Sequence, residues 1–150
     1  MAAQETVAAL QAALAAEHVA VFGYGVLGGH VAPAQQQNAK LIWNAHRSRR
    51  DRLRGYIQAA GASPVAAAAA YRLPFKVTSA SSAARLAATL EDGVIAGYAV
   101  LAGASDANLR RYAAQAMQEA AVRAVRWRGA PPPEAFPGLP AGALAPKPEG

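Results

Sequence analysis

Residues 10–28 read LQAALAAEHVAVFGYGVLG. Leu10, Leu14, Glu17, Val21, Tyr24 and Gly28 follow one another at alternating steps of four and three, the spacing that keeps one face of an α-helix apolar. A carboxylate stands in the middle of that face. Residues 84–102, ARLAATLEDGVIAGYAVLA, repeat the pattern with Ala84, Ala88, Glu91, Val94, Tyr98 and Leu101. At a shift of 74, Glu17 aligns with Glu91, Tyr24 with Tyr98 and Leu27 with Leu101, which reads as the duplication of a helical hairpin.

Working outward, glycine, proline and capping residues punctuate the chain. A first helix is expected from about Gln4 to Leu27, ending at Gly28-Gly29, and a second from near Pro33 to Gly61. A third follows the run Ser79–Ser82 and ends near Gly103. A fourth follows the N-cap candidates Ser105 and Asp106 and ends near Arg128. Helices one and two, and helices three and four, are joined by a few residues each, so each pair is expected to be an antiparallel hairpin. About 17 residues separate Gly61 from Ser79, enough when extended to span ~55 Å against ~37 Å for a helix of this length. That connection is expected to cross the whole assembly, join two parallel helices and lay Phe75 on their outside. The expected fold is all-α, with a helical domain over 1–128 and a Pro/Gly-rich extension over 129–150. In that extension Phe136 and Leu139 are expected to insert between helices.

Composition narrows the chemistry. The 150 residues include no cysteine, which removes disulfides, thiolate metal sites and cysteine nucleophiles. No apolar run of about 18 residues escapes interruption by Glu, His or Arg, so no membrane span is expected, and no export signal is read at the N-terminus. A cytoplasmic location is expected, and because the many alanines allow close helix approach a homodimer is the expected assembly. The net charge is +6, and five arginines crowd between Arg47 and Arg54. Without interleaved aromatics this cluster reads as a solvated, partly salt-bridged helix face, and nucleic-acid binding is not expected. Neither a phosphate-binding glycine loop nor a G-x-S-x-G elbow is present.

The second and fourth helices also place ionisable residues on their stripes: His46 with Arg49 or Arg50 on one, Glu119 with Arg123 on the other. Ionised groups are rarely buried unless paired or metal-bound, so four such positions at matching heights point to a site. With these residues in place, the chain resembles the ferritin-like superfamily, in particular small alanine-rich bacterial ferritin-like domains of unknown function that end in a Pro-rich tail. The resemblance covers residues 4–128 and includes Phe136-Pro137-Gly138-Leu139. It implies a four-helix bundle of two antiparallel hairpins joined by a long crossover. In metal-binding members of that superfamily, helices one and three each give a Glu, and helices two and four each give an E-x-x-H motif, together holding two irons or manganese ions. Glu17 and Glu91 match the single glutamates. The second-helix motif reads Trp43-Asn44-Ala45-His46, with Trp43 in place of the bridging Glu. The fourth reads Glu119-Ala120-Ala121-Val122, with Val122 in place of the His.

Glu17, His46, Glu91 and Glu119 are therefore the candidate ligands for a single Fe- or Mn-type ion. A metal-free network in which Arg50 or Arg123 pairs with these carboxylates, joined by Tyr24 and Tyr98, is the leading alternative to any metal. Under that reading the protein is non-catalytic or weakly metal-binding; the rival is an Fe/Mn-dependent oxidase on the same bundle. Trp43 is expected to fill volume that a metal would need, and His18 to lie at the surface or an interface.

Overall fold

The computed structural model describes residues 1–131. Among them there are four long helices and no strand: α1 (Ala3–Leu27), α2 (Gln36–Ala59), α3 (Ala80–Tyr98) and α4 (Ala107–Arg128). Short 3₁₀ turns at Pro33–Gln35 and Leu101–Gly103 finish the two hairpin connections. Most ends lie close to where the punctuation puts them; α3 instead stops at Tyr98, and a separate 3₁₀ turn reaches the expected end at Gly103. Ser79 Oγ accepts the Ser82 amide at the start of α3, and Asp106 Oδ1 accepts the amides of Asn108 and Leu109 at the start of α4. Gly129 takes the left-handed conformation that closes α4, at φ 70°.

Residue pairs fix the directions. Glu17 and Val21 of α1 meet His46 and Trp43 of α2, so the sequence runs in opposite senses. Glu17 and Tyr24 meet Tyr98 and Glu91 of α3, again in opposite senses. Both α2 and α3 are thus antiparallel to α1, hence parallel to each other, and residues 60–79 must travel the length of the helices. They do so in extended form along α1. Gln11 bonds the Ser63 carbonyl and the Val65 amide, His18 bonds the Val65 carbonyl, and Phe22 meets Tyr71 edge-on at 5.6 Å. From Tyr71 to Val77 burial alternates, with Tyr71, Leu73, Phe75 and Val77 turned inward and Arg72, Pro74 and Lys76 outward, the period of an extended strand. Phe75 packs on the outside of α3 under the Arg85 guanidinium, 4.1 Å from its ring centre. The alanine run 66–70 forms no helical turn.

The core falls into two apolar clusters. One gathers Leu10, Leu14, Leu53, Ile57, Tyr98 and Leu101; the other gathers Tyr24, Leu27, Ile42, Leu86 and Leu90. Helix α4 buries only alanines, at 113, 116, 120 and 124, which lets it approach α3 closely. Helix α1 and the stretch Ala80–Gly103 are long and apolar enough by composition to cross a membrane, which the interrupting charges had spoken against. About half of each apolar window, 44% and 50%, is buried inside this fold. Phe136, Leu139 and most of the expected extension lie outside the described residues.

Candidate functional site: a buried histidine between two glutamates

Glu17, His46 and Glu91 are completely shielded from solvent. They are brought together because each sits on the inward stripe of its helix, at the level where the two apolar clusters meet. The His46 ring bridges the carboxylates: Nδ1 lies 2.6 Å from Glu17 Oε2 and Nε2 lies 2.9 Å from Glu91 Oε1. A carboxylate oxygen only accepts, so with both ring nitrogens donating the ring is an imidazolium. Burial by itself pulls the His46 pKa down. The hydrogen bonds to Glu17 and Glu91, and their charges, outweigh it and hold the group up to about 9.

Two tyrosines complete the arrangement crosswise. Tyr98 of α3 donates to Glu17 Oε1 at 2.7 Å, and Tyr24 of α1 donates to Glu91 Oε1 at 2.7 Å. Each half of the duplication thus supplies the hydroxyl that satisfies the other half's carboxylate. Burial, then the neighbouring carboxylate, keeps both phenols well above the ordinary tyrosine range. Trp127 of α4 donates to the Tyr24 hydroxyl at 3.0 Å, a link that the spacing of α4 did not suggest. Glu91 Oε2 is buried and has no partner among the described residues.

Other sequence candidates stand apart from this centre. Glu119 is 49% exposed and bonds Arg49 Nη2 at 2.6 Å, with Arg123 Nη2 at 3.9 Å. It lies one residue off the alanine stripe of α4, about 100° around the helix from it. Arg50 bonds Asp51 instead of a centre carboxylate; Arg49 is the arginine whose side chain turns inward toward α4, 14% exposed. Trp43 leaves the centre and donates to the Val21 carbonyl at 3.1 Å. His18 is 7% exposed, covered by the crossover whose Val65 carbonyl it binds.

Residues 9–141 match the family described as a domain of unknown function (DUF4439). The chain belongs to that family. A crystal structure of a conserved hypothetical protein, rv2844, from Mycobacterium tuberculosis is similar at TM-score 0.82 and 36% identity. The match covers 86% of this chain and 98% of the mycobacterial one. No curated protein matches. Among the described residues of this member of the DUF4439 family, no group of three or more His, Asp or Glu is arranged to hold a metal ion.

Proposed function

We propose that this chain is a ferritin-like four-helix bundle whose central site is held together by a proton on His46, and that it works as a non-catalytic, at most weakly metal-binding, protein. The observation that carries the reading is the engagement of both His46 ring nitrogens by carboxylates, at 2.6 and 2.9 Å. A histidine ligand needs a free ring nitrogen lone pair for the metal; here both positions point at Glu17 and Glu91. The residues present do not fit a two-ion centre. Trp43 and Val122 stand where the superfamily's bridging Glu and second His would be, and Glu119 faces outward with Arg49.

A single-ion reading draws on one observation, the partnerless Glu91 Oε2. One imidazolium cannot neutralise two carboxylates, and that oxygen is where a small cation would be accommodated. Elemental analysis of protein purified without chelator, combined with nitrogen-edited NMR of the histidine rings, separates the readings. The proton-held centre requires metal far below one equivalent and two slowly exchanging ring N–H signals from His46 at neutral pH. Stoichiometric Fe or Mn with a single His46 ring N–H signal would sink it. An Fe/Mn-dependent oxidase would in addition have to lose activity on metal removal.

A further inference from the structure

Where the crossover runs along α1 beside α2 it borders a half-open pocket of about 360 Å³ between His18, Arg50, Arg54 and the segment Pro64–Ala67. Its walls are fixed from α1. Gln11 Nε2 donates to the Ser63 carbonyl at 2.7 Å, the Val65 amide donates to Gln11 Oε1 at 2.8 Å, and His18 Nε2 donates to the Val65 carbonyl at 2.9 Å. Three side-chain bonds hold this wall in place at one point, so the pocket is formed before any ligand arrives. Arg50 and Arg54 lie four residues apart on one face of α2, close enough for both guanidinium groups to reach the same space. Arg50 gives its Nε to Asp51 at 2.9 Å, which leaves its two terminal amino groups. Arg54 forms no ion pair among the described residues. Asp51, itself exposed, feels Arg50 first and then Arg54 and Arg47, and its carboxyl is held below its ordinary range. Arg50 and Arg54 against Asp51 leave the pocket a net surplus of one positive charge.

We infer that this pocket binds a phosphate-type oxyanion carried on a small organic body. Two arginines supply the forked donors that match phosphate geometry, and the Pro64–Ala67 wall supplies apolar surface beside them. The volume lies within the range of small-molecule sites and exceeds what a bare anion fills. Arg47 and Arg52 do not line this pocket; they engage the Trp43 and Tyr56 rings. A nucleic-acid surface would instead use all the arginines as an open stripe.

Calorimetric titration of the full chain with inorganic phosphate and with phenyl phosphate tests the inference. Saturable binding is expected, tighter for phenyl phosphate. Arg50→Gln and Arg54→Gln should each weaken it about tenfold or more, while Arg47→Gln and Arg52→Gln, which change net charge equally, should change it less than about twofold. Asp51→Asn should tighten binding by releasing Arg50. Equal affinity for the two probes, with the same ranking of variants, would still assign the anion site but overturn the organic body. Absence of saturation by either probe would overturn the whole inference. So would equal weakening in all four arginine variants, or binding of a single-stranded oligonucleotide that all four weaken alike. Circular dichroism on each variant separates loss of binding from loss of fold.

Discussion

At the scale of single residues, the central site is a balance of donors against acceptors in a volume closed to water. Removing one hydroxyl tests that balance with little change in shape. Tyr98→Phe deletes the donor to Glu17 Oε1 and leaves that buried oxygen unsatisfied, so it should cost about 1.5–3 kcal/mol in chemical denaturation. Tyr24→Phe removes the donor to Glu91 and also the acceptor of Trp127; its cost should be at least as large. A loss below about 0.5 kcal/mol from either would mean that water reaches the carboxylates. His46→Gln keeps a donor amide but removes the positive charge between two carboxylates, and breaking a buried pair in this way should cost about 3–5 kcal/mol. Glu17, His46 and Glu91 are legible in the sequence as ligand candidates and Tyr24 and Tyr98 as their companions, whereas Arg50 and Arg123, expected to pair with the carboxylates, bond neither Glu17 nor Glu91. A polar residue interrupting a regular apolar stripe has no bland explanation on three helices at once. Glu119 is expected on the same footing and is absent from the centre. In a helix where alanine occupies every face, apolar spacing carries little information about phase, and α4 is such a helix.

Among the elements, the contact of α1 with α3 depends on two glycines that the shift of 74 also relates, Gly23 and Gly97. A Cβ on Gly97 would run into the Ala16 Cβ, which is attached directly to the α1 backbone and cannot turn away. A Cβ on Gly23 would meet the tip of the Leu90 side chain, which has other rotamers. Both substitutions gain roughly 1 kcal/mol of helix propensity. Gly97→Ala should nevertheless be destabilising by about 1–3 kcal/mol through overpacking, whereas Gly23→Ala should stay within about 1 kcal/mol of the parent. Equal effects at the two sites would show that the helices slide apart freely. The hairpins and the crossing connection followed from loop lengths alone, because reach is a matter of residue count. The inward side of the crossover was also present in the sequence. Tyr71, Leu73, Phe75 and Val77 alternate with polar or exposed residues, a period of two that is easily passed over beside long helical stripes.

For the molecule as a whole, the buried imidazolium couples folding to pH. Glu17, Glu91 and Tyr24 are the titratable groups that face His46; Tyr98 acts on it through Glu17, and the charges of Arg123 and Arg49 reach the site through Tyr24 and Tyr98. The His46 pKa is raised from 6.5 to about 9, so between those values the folded state holds a proton that the unfolded chain has released. Stability must then fall as pH rises. The contribution is fully present below about pH 6.5, and most of it is lost by about pH 9. Each tenfold difference in proton affinity between folded and unfolded chain is worth about 1.4 kcal/mol, so the loss across this window is on the order of 3 kcal/mol. Above pH 10 the raised tyrosines act in the same direction, since the unfolded chain would lose protons that Tyr24 and Tyr98 keep. Urea unfolding at intervals from pH 6 to pH 10 should show this decline in the parent protein. In His46→Gln the slope between pH 6.5 and pH 9 should be nearly flat, whatever its overall stability. A parent curve as flat as the variant's would mean that His46 is neutral in the fold and that the two helical hairpins are joined by something other than its proton.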